Sequence, residues 1–129
     1  MAFGAIVRRE GCVCMGRITT HVLDTAAGRP AAGLKVILTR LDGPPATVVE
    51  TVTNADGRVD RPLLDGAAFA TGRYEIMFHV GDYFRHAGIA LPDPPFLDLV
   101  PIRFGVTEDA HYHVPLLVSP FAYSTYRGS

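Results

Sequence analysis

The apolar positions of this chain recur every second residue in three separate runs. Tyr74, Ile76, Phe78 and Val80 alternate with Arg73, Glu75, Met77 and His79. Val100, Ile102, Phe104 and Val106 alternate with Pro101, Arg103 and Gly105, and Leu34, Val36 and Leu38 with Lys35, Ile37 and Thr39. A period of two sends successive side chains to opposite faces of an extended strand, so each run predicts a strand with one face towards a core. Turn chemistry punctuates the runs at Gly28-Arg29-Pro30, Asp42-Gly43-Pro44-Pro45, Asn54-Ala55-Asp56-Gly57 and Pro92-Asp93-Pro94-Pro95. Gly57 can supply positive φ after Asp56, which makes 54–57 a tight turn. The pattern predicts strands at 17–24, 34–42, 47–53, 58–61, 73–80, 98–106, 110–119 and 121–127. One short helix fits 82–88, with Asp82 as N-cap and Gly88 ending it. Seven to eight short strands with one short helix predict an all-β fold, an antiparallel β-sandwich.

Size and composition narrow the picture. The 129 residues suit one domain, and 48% hydrophobic against 19% charged residues favours a packed globule over disorder. The formal charge of -1 leaves no electrostatic footprint for nucleic acid or for an anionic membrane. Eleven of the twelve basic residues are Arg, with Lys35 alone, which supplies many planar donors. The two cysteines, Cys12 and Cys14, are too close for an unstrained bridge, so a reducing, cytoplasmic compartment is the simplest expectation. No apolar run reaches the roughly 18 residues that span a bilayer. Residues 1–16 place an apolar stretch before Arg8-Arg9-Glu10, the reverse of a secretory signal. They are expected to be an extension outside the domain, either disordered or a misassigned start, with the domain itself at 17–129.

Four places carry candidate chemistry. His21 lies on a strand and faces away from Val22; the bland alternative is a surface histidine. Arg58 follows the Asp56-Gly57 turn and could equally be a solvated turn residue. His111 and His113 share a strand face, which suggests a divalent metal site. That reading lacks a third ligand, because nothing in the spacing of His79 or His86 ties them to His113. Ser119, Ser124 and Ser129 sit in no nucleophile elbow. The fourth place is the C-terminus, Tyr123-Ser124-Thr125-Tyr126-Arg127-Gly128-Ser129, which continues a strand-like run and could be ordered against a partner subunit.

These residues carry a resemblance. His21-Val22-Leu23-Asp24, Gly28-Arg29-Pro30-Ala31 and Leu34-Lys35-Val36 resemble the N-terminal motif of the transthyretin superfamily. Tyr112-His113-Val114-Pro115-Leu116-Leu117-Val118-Ser119-Pro120-Phe121-Ala122-Tyr123-Ser124 resembles its C-terminal motif. Ala122 departs from the glycine common there. The final Tyr126-Arg127-Gly128-Ser129 is similar to the mark of the 5-hydroxyisourate hydrolase branch, and the likeness covers 17–129.

The resemblance implies a transthyretin-like sandwich that pairs edge to edge into dimers, with two dimers meeting face to face. It implies a homotetramer with active sites at the dimer–dimer interface. The implied reaction is hydrolysis of 5-hydroxyisourate to 2-oxo-4-hydroxy-4-carboxy-5-ureidoimidazoline in urate degradation, with no metal and no organic cofactor. The implied catalytic residues are His21, Arg58 and His113, and the substrate is held by His21, Arg58, Tyr126, Arg127, Gly128 and Ser129. His111 matches no implied active-site position, so its loss is expected to be mild. Outward apolar residues such as Ile37, Pro115 and Leu117 agree with assembly.

The residue types suit that chemistry. Opening a ring acyl–nitrogen bond needs a base for water, charge stabilisation at oxygen and a proton for the leaving nitrogen. Neutral imidazole and imidazolium supply the first and last, and either histidine could take either role. Arg58 offers a fixed fork of donors to an oxygen-rich ring. The competing class is a small-ligand carrier of the transthyretin type, which shares the fold without catalysis. Carriers have lysine, glutamate and threonine where this chain has His21, Arg58 and His113, and that substitution favours the enzyme.

Overall fold

A computed structural model describes residues 16–128. Residues 1–15, which hold Cys12 and Cys14 and make up all but Gly16 of the expected 1–16 extension, lie outside the described residues, as does Ser129. The chain forms β1 (Arg17–Asp24), β2 (Arg29–Pro30), β3 (Lys35–Arg40), β4 (Ala46–Val52), β5 (Leu64–Asp65), a 3₁₀ turn (Gly66–Ala68), β6 (Gly72–His79), α1 (Val80–His86), β7 (Leu99–Val106), β8 (His111–Ser119) and β9 (Ala122–Thr125). They make two sheets. One runs β2-β1-β8-β9 with β5 also paired to β1, and the other runs β4-β3-β6-β7.

Alternation builds the core. Ile18, Val22, Leu116 and Val118 point inward from one sheet and meet Val36, Leu38, Ile76, Phe78 and Val100 from the other, all of them buried. Burying a side chain of this size is worth about 1.5–3 kcal/mol, which is what drives the two sheets together. Three polar side chains are buried with their partners, Thr53 by donating to the Ala31 carbonyl at 2.6 Å and accepting from Leu34 N–H at 2.9 Å. Thr20 donates to the Val114 carbonyl at 2.8 Å. Asp24 accepts from the Ala26 and Ala27 N–H groups and, at 2.8 Å, from the Tyr83 hydroxyl of α1. Burial, then the Asp24 carboxylate, pushes the Tyr83 phenol up to about 12. That bond ties the helix to the end of β1.

The sandwich follows the alternation closely, and its departures have causes. The helix begins at Val80 instead of Asp82, because the inward face of β6 runs straight into it and His79 takes the N-cap position. Gly88 does end it, at φ 85°, with its N–H on the Arg85 carbonyl. Residues 58–61 form no strand; Arg58 makes one bridge to His21, and the chain pairs again with β1 only at Leu64–Asp65. The last strand stops at Thr125, short of 127, because the tail then turns onto β8. Among the paired strands, β1 and β8 run parallel while the others are antiparallel. Of the outward apolar residues, Ile37 and Leu117 are half-buried, but Pro115 is already buried within the chain.

Candidate active site

The parallel pairing builds the site. The outer face of β1 presents Arg17, Thr19 and His21, and that of β8 presents His111 and His113. The register sets Arg17 opposite His111, Thr19 opposite His113 and His21 opposite Pro115. His21 and His113 therefore occupy neighbouring strands one step apart on the same face.

The 54–57 turn delivers the arginine. The Asn54 side-chain oxygen accepts from the Asp56 and Arg58 N–H groups at 2.8 and 3.2 Å, and Gly57 N–H closes onto the Asn54 carbonyl at 2.9 Å. Gly57 sits at φ 74°, with its α-carbon packed against the Val22 carbonyl where a β-carbon has no room. Its own carbonyl accepts from Val22 N–H at 2.8 Å, which docks the turn on β1 and brings Arg58 into bridge register with His21. His21 Nε2 lies 3.0 Å from the Asp56 carbonyl. A carbonyl only accepts, so this nitrogen carries a proton, and in the neutral ring Nδ1 holds the lone pair.

Arg58, Thr19, His111 and His113 line an open cleft of 480 Å³, together with Arg17 and Arg61. His21 flanks this cleft beside Arg58 and does not line it. Thr19 joins the two cleft imidazoles. Its hydroxyl lies 2.7 Å from His111 Nε2 and 2.7 Å from His113 Nδ1. Burial and then Arg58 hold His21 below the ordinary histidine value of 6.5. His113 is lowered by burial, then by Arg58, His111 and His21. His111 is lowered by burial and then by Arg17. All three rings are thus neutral at pH 7.

The tail divides between two places. Gly128 N–H donates to the His113 carbonyl at 2.8 Å, and a β-carbon added to Gly128 would fall 2.6 Å from His113 Cδ2. Glycine at 128 is what lets the chain lie flat on that ring. Tyr126 and Arg127 instead border a second cleft of 340 Å³ with Phe104, Tyr112 and Val114. The Arg127 guanidinium stands 4.1 Å from the centroid of the Tyr112 ring. Within one chain, therefore, His21, Arg58, His113 and Gly128 come together, and Tyr126 and Arg127 do not join them. His79 and His86 lie at the helix, His79 4.0 Å from Asp82 and His86 bonded to the Asp82 carbonyl. Among the described residues, no three His, Cys, Asp or Glu side chains converge on a metal position.

Thr19 is the cleft residue that the linear pattern leaves out, and His111 enters that pattern only as a possible metal ligand beside His113. Arg17, Thr19 and His21 alternate visibly, but only the pairing of β1 with β8 sets them against His111 and His113.

Two stacked sheets, with two imidazoles and a guanidinium at the outer face of one of them, make a β-sandwich with a candidate acid–base site. The family model described as HIUase/Transthyretin family matches residues 18–128, and the chain belongs to that family. It is 67% identical over 116 residues to 5-hydroxyisourate hydrolase 2 of Rhizobium meliloti (strain 1021), covering 88% of this chain and 97% of that one. Its fold is similar to that of a crystallised (S)-allantoin synthase, with TM-score 0.86 and 49% identity. That match covers 90% of this chain, which spans only 44% of the synthase chain. It is also similar to sea bream transthyretin solved in complex with thyroxine, with TM-score 0.77 but 26% identity, covering 87% and 94% of the two chains.

Proposed function

We propose that this protein hydrolyses 5-hydroxyisourate, giving 2-oxo-4-hydroxy-4-carboxy-5-ureidoimidazoline. The observation that carries the reading is one open cleft lined by Arg58 and His113, with His21 bridged to Arg58 at its flank, in a chain that is 67% identical to a named hydrolase. Both imidazoles are neutral at pH 7, as a base for water requires. Water loses a proton to one ring as its oxygen bonds the acyl carbon. The acyl–nitrogen bond then breaks, and the leaving nitrogen takes a proton back. Arg58 is placed to meet the negative charge that develops on oxygen, where a fixed guanidinium is worth most if water is excluded.

Exclusion of water is the role of assembly. The cleft lies on an outer sheet face and is open in one chain. A homotetramer in which two such faces meet would cover it, and Tyr126, Arg127 and Ser129 would then reach substrate from the junction. The reaction as written uses no cofactor. The carrier alternative shares the fold, but the polar lining of this cleft suits an oxygen-rich ring better than an apolar hormone.

The test is direct. When 5-hydroxyisourate is made in situ from urate by urate oxidase, its absorbance should decay many-fold faster with this protein than without it. Equal decay rates would overturn the enzyme reading, and saturable binding without turnover would point to the carrier.

A further inference from the structure

Among the described residues, Thr19 is the only group hydrogen-bonded to both cleft histidines, and nothing in the proposed reaction so far uses it. A threonine hydroxyl has one proton to give and two lone pairs. At 2.7 Å from both His111 Nε2 and His113 Nδ1, it can donate to only one ring, so at least one of the two ring nitrogens donates to it. Two proton orders place the hydroxyl proton between the rings. In the first, His113 Nδ1–H donates to Thr19 and Thr19 O–H donates to His111 Nε2, so His113 Nε2 holds a lone pair. In the second, both bonds reverse and His113 Nε2 carries a proton. Nε2 is the His113 ring nitrogen with no protein hydrogen bond among the described residues.

We propose that Thr19 and His111 form a proton relay behind His113, resting on the hydrolase reading above. As His113 Nε2 takes a proton from the attacking water, its Nδ1 proton passes to the Thr19 oxygen and the Thr19 proton passes to His111 Nε2. One water O–H bond breaks and one Nε2–H bond forms, and the positive charge comes to rest on His111. Reversal returns a proton through Nε2 to the leaving nitrogen. Thr19 and His111 are positioning residues here, and His113 is the group that touches substrate.

The surroundings favour moving the charge. His113 is the more deeply buried ring and faces the Arg58 guanidinium, both of which disfavour a proton retained there. His111 faces Arg17, with Arg127 Nη2 3.5 Å from its carbonyl, while Arg61 and the acidic Asp60 complete the cleft wall. Strand register explains why the relay is straight: Thr19 lies directly opposite His113, and His111 is two residues before His113 on the same face.

The experiment compares Thr19→Val, which keeps the shape and loses the hydroxyl, with Thr19→Ser, which keeps the hydroxyl. Thr19→Val should lower kcat about tenfold or more with KM within about twofold, since only part of the 10²–10⁴-fold acid–base contribution is lost. Thr19→Ser should retain most of the turnover, and His111→Asn should resemble Thr19→Val with an altered acid limb in its pH profile. Imidazole ¹⁵N spectra of the assembled protein give a readout independent of substrate: the His113 signals of the two variants should differ in tautomer, Thr19→Ser matching wild type. Wild-type kcat in Thr19→Val, equal loss in Thr19→Ser, or a His113 tautomer unchanged in Thr19→Val would each overturn the relay. If wild type itself fails to turn over 5-hydroxyisourate, the function falls, and the ¹⁵N spectra still decide whether Thr19 couples the two rings.

Discussion

His21 and His113 are ordinary imidazoles made unusual by their neighbours. Burial and Arg58 lower both below 6.5, so the folded protein binds their protons more weakly than the unfolded chain does. Acid therefore favours unfolding: the stability tied to these rings is complete above 6.5 and is lost as pH falls from there through their lowered folded-state values. The thermal midpoint should drop between about pH 7 and pH 5, and the double His21→Asn, His113→Asn variant should drop less steeply. A double variant as acid-sensitive as wild type would contradict this. The acid limb of kcat/KM should likewise lie below 6.5. His21→Asn, Arg58→Ala and His113→Asn should each cut turnover by at least about 10²-fold, and the double histidine variant should be little worse than the poorer single, because the groups act as a unit. Steady-state kinetics that found the losses simply multiplying would separate the two rings mechanistically. The linear sequence exposes these three residues through motif likeness. His111 is a different matter: the likeness alone predicts a mild effect for its loss, whereas its Thr19 contact places it in the same network.

Strands were legible wherever burial repeats with period two. β1 begins and ends at the expected residues, and β6, β7 and β8 lie within about a residue of expectation. What escaped were elements fixed by distant partners. The 58–61 stretch has strand-like residues, but among the described residues its only bridge is the one between Arg58 and His21. The tail has strand-like residues to 127, yet it leaves the ladder after Thr125 to reach His113. That turn predicts that the tail serves catalysis more than folding. Gly128→Ala would push the chain off the His113 ring and release a hydrogen bond worth about 1 kcal/mol. Deleting Tyr126–Ser129 also removes the Arg127 stacking on Tyr112, worth about 0.5–1 kcal/mol at an exposed site. Both variants should melt within a few degrees of wild type and lose most of their turnover. Full activity after deletion would remove the tail from the mechanism.

The single sandwich leaves much apolar surface uncovered. Phe96 is 71% exposed and Phe121 63%, their rings 6.0 Å apart, and Leu99 and Tyr123 lie half in solvent on β7 and β9. Both of these strands are sheet edges with unpaired backbone groups. Edge pairing and face-to-face docking would satisfy both, so the protein should sediment as a tetramer at micromolar concentration. A monomer under those conditions would leave the cleft wet and contradict the proposed assembly. The sandwich itself could be read from the spacing of strands and turns. The parallel β1–β8 pairing could not, because alternation says which face a strand buries and nothing about which distant strand it joins.

That pairing also sets when the protein becomes competent. The ladder joins the first described strand to the penultimate one, with Arg17 facing His111. The β4-β3-β6-β7 sheet draws only on residues up to 106 and so can close while the rest of the chain is still being synthesised. At that stage β1 already holds His21, and Arg58 can dock beside it, but β8 and the glycine that backs His113 have yet to leave the ribosome. A truncated or half-made copy carries one imidazole and the guanidinium and no second ring. On the proposed mechanism, turnover belongs to chains that have completed β8, and a product stalled or clipped before it should lack hydrolase activity.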